Sequence, residues 1–376
     1  MLSTSKSIFR LQGIRPFHVR PMSSSTAQSP AIVVGAGVIG LSTAVKMQDA
    51  FPGRPAYIIA AEMPTTASPT ASYASMWAGA HYRPIPAGSS QLKVEMELGW
   101  TTNEVMKQIA KANPESGVQT MQGVEHLETP PPEALALKTG DVLAGIDDEF
   151  RVLDQNELPE GVTWGCDYQA YCVNVPMYCS WLLNNFQARG GKVMQRLLSC
   201  AEDAFAVVEQ EDFGEPGIVI NCSGNNFGLD PAMKVIRGQT VLVRNEYHKT
   251  VTRQMANGTW SVLIPRPRGG GTIVGVSKEI DDLDEKPRPE TTTKLLQNSI
   301  RYFPDFVSRM EDFDILNVNV GRRPWREGGL RMEAEYLPGG RQIVHGYGAG
   351  GRGYELSWGV ADKLVKLVRD TKQQAA

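Results

Sequence analysis

Apolar positions cluster in the chain in short runs and helical stripes. The run Ala31-Ile32-Val33-Val34 predicts a short buried strand. It leads into Gly35-Ala36-Gly37-Val38-Ile39-Gly40, and Leu41 to Met47 then reads as a helix. A second strand, Ala56-Tyr57-Ile58-Ile59-Ala60, stops at Ala61-Glu62 and completes a βαβ unit. Residues 92–112 read as a helix, and 113–132 as loop-rich, broken by Pro130-Pro131-Pro132. Residues 176–190 predict another helix, with Tyr178, Trp181, Leu182 and Phe186 on one face and Gly190 beyond its end. A buried strand is expected over 217–221. Strands follow over 240–243, 261–264 and 271–274, then a helix over 290–302. Gln342-Ile343-Val344 predicts a strand running into the glycine cluster 346–353, and a helix over 357–369 follows.

The 376 residues suffice for two folding units. A hydrophobic content of 41% and a charged content of 21% describe a globular protein. A net charge of −3 offers no basic stripe for nucleic acid, so a small-molecule partner is expected. No apolar stretch approaches the ~20 residues of a membrane-spanning helix. Cys166, Cys172, Cys179, Cys200 and Cys222 form no CxxC pair and read as buried structural thiols. The five histidines show no ligand spacing, and no metal is expected. Residues 1–29 carry Lys6, Arg10, Arg15 and Arg20 without an acidic residue, a pattern shared by mitochondrial presequences and disordered extensions. The final Lys372-Gln373-Gln374-Ala375-Ala376 lacks an SKL-type address.

The GxGxxG between strand and helix has a mechanism. Gly35 permits the tight turn, Gly37 lets backbone approach a pyrophosphate, and Gly40 allows close packing of helix on sheet. The helix start at Val38 and Ile39 presents N–H groups to phosphates, and Glu62 suits an adenosine ribose. This element alone leaves FAD and NAD open. Two later features favour FAD. The strand over 217–221 ends in Cys222-Ser223-Gly224, a floor for the adenine side. The cluster Gly350-Gly351-Arg352-Gly353 forms a second nest of backbone N–H groups, suited to charge developing on a reduced flavin.

These blocks, with Ala74-Ser75-Met76-Trp77-Ala78-Gly79-Ala80, Asn221-Cys222-Ser223-Gly224, Ile264-Pro265-Arg266-Pro267, Gly321-Arg322-Arg323-Pro324-Trp325-Arg326 and Tyr347-Gly348-Ala349-Gly350-Gly351, resemble the D-amino acid oxidase family, fungal branch, over residues 30 to 370. The resemblance implies FAD held by Ser72, Ala78, Gly79, Ser223, Gly224, Gly350, Gly351, Arg352, Gly353, Tyr354 and Glu355 as well as by the first glycine loop. It implies hydride transfer from the α-carbon of a D-amino acid, with Gly351 at the reacting centre, reoxidation by O2 to H2O2, and hydrolysis of the imino acid to a 2-oxo acid and ammonia. Arg326 is the expected partner of the substrate carboxylate, because a guanidinium grips both oxygens. Arg323 is expected to be structural or close to the cofactor. A peroxisomal location is also implied by the resemblance.

The sequence departs from the family at two points. Val262 stands where a tyrosine usually assists the carboxylate, a role then open to Tyr82. Glu355 stands where fungal relatives often carry Gln near the flavin. Lys278 falls where D-aspartate oxidases place an arginine facing the substrate side chain. With Arg352 and Arg83 nearby, it makes an acidic substrate the alternative to a general D-amino acid. An NAD-linked dehydrogenase and a catalytically silent flavoprotein are the remaining alternatives. The expected fold class is α/β, with a Rossmann-like FAD domain (30–90, 155–235 and 320–376) interleaved with a β-rich α+β substrate domain (91–154 and 236–319). The sequence leaves the oligomeric state open, a homodimer included.

Overall fold

The computed structural model describes residues 29–84, 87–139, 150–210 and 217–374. Apart from Ser29, the extension expected over 1–29 lies outside the described residues. Two sheets organise the remainder. One has six strands in the order Arg331–Tyr336, Gln342–Tyr347, Ile218–Asn221, Ala31–Val34, Ala56–Ala60 and Lys192–Gln195. All neighbours in it are parallel except the first pair. Every residue of Ala31–Val34 and Ala56–Ala60 is buried, as parallel strands covered on both faces must be. Ala31, Val33 and Ile58 face one apolar layer with Leu41, Tyr178 and Leu364, while Ile32, Val34 and Ile59 face another with Phe205 and Val208. Alternation along a strand thus fills two layers at once.

The second sheet has nine strands. Its path runs Glu279–Ile280, Met233–Val243, Thr272–Val274, Trp260–Pro265, Thr250–Gln254, Val118–Leu127, Trp164–Val173 and Arg151–Val152, with Ile315–Arg326 paired to Met233–Val243. Part of the stretch read as loop-rich is therefore a ten-residue strand, Val118–Leu127, laddered against Trp164–Val173. Its polar and apolar residues are mixed and do not alternate. The partner that supplies its hydrogen bonds lies some forty residues further on, out of reach of any local pattern. The same reason hid Ile315–Arg326, whose ladder partner ends at Val243.

Sheet membership cuts across the segments expected from sequence. Trp164–Val173 lies within 155–235 yet belongs to the nine-stranded sheet. Helix Ser90–Ala112, placed with the substrate segments, packs on the C-terminal helix Gly353–Gln374. There the Gly359 N–H donates to Thr102 Oγ1 at 3.0 Å, and a Cβ at Gly359 would meet Leu98 O at 2.3 Å. All five cysteines are free, and all but Cys200 are buried.

Candidate active site

A continuous cavity of about 2010 Å³ is lined by residues of both sheets. At one end lies the first glycine loop. Gly35 has φ +106, and a Cβ there would sit 2.3 Å from the Cys222 carbonyl oxygen, so only glycine lets these two strand ends approach. A Cβ at Gly40 would lie 2.0 Å from Gly35 O, and Gly40 does not line the cavity: its role is packing of helix on strand. Gly35, Gly37, Val38, Ile39, Glu62, Ser72, Ser223 and Gly224 all line this end. The Val38 N–H, expected to face phosphate, donates to Ser75 Oγ at 3.0 Å. Glu62 accepts from the Thr70 N–H and hydroxyl, both at 2.7 Å, and a carboxylate keeps further lone pairs for a ribose.

The second nest meets the first. Gly350, Gly351, Arg352, Gly353, Tyr354 and Glu355 line the same cavity, and a Cβ at Gly353 would sit 3.4 Å from Val38 Cγ1. Loops more than 300 residues apart in sequence therefore share one site, as an extended dinucleotide requires. Ala78 and Gly79 form part of the wall, clamped by Arg266, which donates to Gly79 O at 3.0 Å and Ala78 O at 2.8 Å. Burial pushes the Arg266 guanidinium down to about 10. No local pattern around Arg266 signals this clamp, because its partners lie 187 and 188 positions away. The buried Ser223 Oγ and Glu355 Oε2 have no hydrogen-bond partner among the described residues, as expected where a polar ligand completes the wall. The residues present thus fit FAD: glycine backbone, a helix start, an acidic residue at the ribose end and two orphaned polar groups in one continuous cavity.

The arginines rearrange the expected substrate site. Arg326 lines the cavity, but its Nε donates to Asp230 Oδ2 at 2.8 Å, and Nη1 turns to the Gly329 carbonyl at 3.3 Å. Tyr347 donates to the same Asp230 oxygen at 2.9 Å. Burial opposes ionisation of Asp230, yet these donors and the Ala232 N–H hold its carboxyl below the ordinary value. Arg326 is thus already bound to an internal carboxylate. Arg323 is not. It lies three positions earlier on the same strand, and an odd spacing sends its side chain to the opposite face. Its guanidinium lies over Gly238, where a Cβ would come within 2.0 Å of Nη2. Its hydrogen bond is to the Ser277 carbonyl at 3.2 Å, and it makes no ion pair among the described residues. Burial lowers its pKa, with Glu279 a weaker opposing influence.

Lys278 lines the cavity and is exposed within it. It immediately precedes the antiparallel pair Glu279↔Arg237, so it stands across from Gly238, the residue under the Arg323 guanidinium. Directly opposed residues of an antiparallel pair share a face. Two cations without a carboxylate therefore adjoin.

Other expected residues are committed elsewhere. Tyr82 does not line the cavity: it is 2% exposed and stacks on Tyr171 with centroids 5.6 Å apart. It therefore takes no place of the tyrosine missing at Val262. Arg352 pairs with Glu95 at 2.6 Å. Arg83 reaches Glu125 at 3.4 Å and Glu355 at 3.5 Å while lying over the Trp260 ring. Glu95, Arg352, Glu355, Arg83 and Glu125 thus form one alternating chain of three carboxylates and two guanidiniums, so that neither cation is left unpaired. Ser72 accepts from Arg322, which also binds Glu285. Burial pushes His81 down to about 3, so it is neutral near pH 7, and its Nδ1 lies 2.6 Å from Thr250 Oγ1.

Comparison with known proteins agrees with this geometry. The chain is 51% identical over 357 residues to a D-aspartate oxidase of Talaromyces thermophilus, covering 91% of this chain and 95% of that protein. It is 29% identical to a D-amino-acid oxidase of Fusarium vanettenii, covering 90% and 96%. The fold is that of glycine oxidase from Bacillus cereus, with a TM-score of 0.67, 16% identity, and coverage of 92% and 96%. Residues 31–367 match the FAD dependent oxidoreductase family model, and the chain belongs to that family.

Proposed function

We propose that the protein oxidises D-amino acids and prefers acidic ones, D-aspartate first. The observation that carries this is the Arg323 guanidinium, half-buried, without a carboxylate partner among the described residues and adjoined by Lys278. Arg323 grips the α-carboxylate with two parallel N–H bonds, taking the role that the sequence reading assigned to Arg326. Lys278 takes the side-chain carboxylate. An uncharged side chain leaves Lys278 unmatched, which sets the preference for a dicarboxylic substrate. The 51% identity to a D-aspartate oxidase supports the same substrate class.

Held by the loops at Gly35–Gly37 and Gly350–Gly353, FAD would supply the two-electron redox chemistry between the substrate's α C–H bond and O2. The balance is a D-amino acid, O2 and water giving a 2-oxo acid, ammonia and H2O2. The protein's residues orient the substrate. Arg323 fixes the carboxylate, the Arg266 clamp holds the Ala78–Gly79 wall, and the neutral His81 adds no competing cation. We further assign the cofactor to the six-stranded sheet with its helices, and the substrate to the nine-stranded sheet.

The test is H2O2 release from the FAD-loaded protein with D-Asp, D-Glu and D-Ala, together with anaerobic bleaching of the flavin. The expected order is D-Asp above D-Glu above D-Ala. Absence of turnover with every D-amino acid at full flavin occupancy would reject the reading. A preference for D-Ala would reject its acidic part.

A further inference from the structure

Helix Pro289–Tyr302 contributes Thr291, Lys294, Leu295 and Asn298 to the cavity wall. These positions follow i, i+3, i+4 and i+7, a single helical face. The helix is fixed against the segment that carries Lys278. A Cβ at Gly275 would come within 2.8 Å of Leu295 Cβ. Thr292 Oγ1 accepts from Gln239 Nε2 at 2.9 Å, and the Gln239 carbonyl accepts from the Ser277 N–H at 3.0 Å. The turn Asn257-Gly258-Thr259 also lines the cavity and adds no charge.

The charge balance of this wall is one-sided. Lys294 is exposed and, like Lys278, makes no ion pair among the described residues. Glu279, the acidic residue beside Lys278, is committed to Arg237 at 3.2 Å and to the Ser277 hydroxyl at 2.8 Å. The lining charges of this wall that make no ion pair among the described residues, Lys278, Lys294 and Arg323, are all positive and set up a local positive field. Such a field raises the local concentration of anions and leaves net-neutral zwitterions unaffected to first order. D-Asp carries one net negative charge near pH 7, and D-Ala carries none.

We propose that this helix face is the approach by which an acidic D-amino acid reaches the site, and that Lys294 is a specificity-determining residue acting ahead of Lys278. The proposal rests on the acidic-substrate reading above. It adds that discrimination begins at the mouth, through long-range charge, before the side-chain carboxylate meets Lys278.

The experiment compares FAD-loaded wild type, Lys294→Glu and Lys294→Arg. One arm follows association of malonate, a dianion that cannot be oxidised, through the flavin absorbance in a stopped-flow instrument. The other takes the ratio of kcat/KM for D-Asp to that for D-Ala, at low salt and near 1 M salt, where the Debye length falls to about 3 Å. Lys294→Glu is expected to lower both the malonate association rate and the D-Asp to D-Ala ratio about fivefold at low salt. The loss should shrink below about twofold at high salt, and Lys294→Arg should retain wild-type values. An unchanged ratio in Lys294→Glu, an equal loss for D-Ala, or a loss insensitive to salt would overturn the proposal. Failure of the acidic-substrate reading would appear separately, in the wild type alone, as no preference for D-Asp.

Discussion

At its cofactor end the cavity is walled by backbone, and at its substrate end by charged side chains. Around Gly35, Gly37 and Gly353 the wall is bare backbone, and at Gly35 a side chain would strike the Cys222 carbonyl. Around Arg323 and Lys278 the recognising atoms sit at the tips of long side chains, and their meaning depends on which carboxylates already surround them. The first kind of site tolerates almost no change of residue type but is indifferent to net charge. The second tolerates changes of shape and is governed by charge balance. The two arginines of one strand state this most sharply: Arg326 is held by Asp230, whereas Arg323, without a carboxylate partner among the described residues, is the one to which the substrate role is proposed.

Four substitutions break or sharpen this contrast. The largest effect is expected from Arg323→Ala, which should lower kcat/KM about a thousandfold for acidic and neutral D-amino acids alike, read by H2O2 release. Retention of more than a tenth of the wild-type value would return the carboxylate role to another residue. Next comes Gly35→Ala, where a φ of +106 and the 2.3 Å approach to Cys222 O leave no room for a methyl group. Its FAD affinity should fall about a hundredfold, measured as flavin fluorescence on titrating the apoprotein. Lys278→Met is expected to reduce the D-Asp to D-Ala preference about tenfold through loss of a charge-assisted contact. Equal losses on both substrates would deny it a selective role.

The smallest catalytic effect is expected from Arg326→Ala. It should cost a few degrees of Tm, read by thermal unfolding, and leave kcat/KM within about tenfold, because its partner is the protein's own Asp230. Asp230 also links this pair to pH. Its folded carboxyl titrates below the unfolded value of about 3.9, so its stabilisation is complete above that value and is lost as pH falls through the folded one. In Arg326→Ala the acid-side loss of Tm should therefore be shallower than in wild type.

The legible part of the fold was the part whose signals are local. The βαβ start, the five longest helices and the two glycine clusters were readable because apolar runs, periodicity and turn residues act within a dozen positions, whereas the short helix Asp203–Gln210 was not. Strands Val118–Leu127 and Ile315–Arg326 were not, since their hydrogen-bond partners come from remote segments and glycine, proline and charged residues interrupt their apolar pattern. That gap had a functional cost. Without the strand Ile315–Arg326, nothing in Gly321-Arg322-Arg323-Pro324-Trp325-Arg326 indicates that Arg323 and Arg326 face opposite ways. Tyr82 was misplaced for a related reason: its proximity in sequence to the flavin-facing block hid its burial against Tyr171. The alternating chain from Glu95 to Glu125 likewise has members scattered over four segments, so Arg352 and Arg83 could pass for free cations.

By itself the sequence marked the two glycine clusters, 35–40 and 346–353, as places of close backbone approach, because a glycine at a tight turn is a local steric requirement. Only the tertiary structure decided which cation is left for the substrate. A guanidinium already paired with a carboxylate is a poorer partner for an incoming one, and for Arg326 that carboxylate, Asp230, comes from 96 positions away.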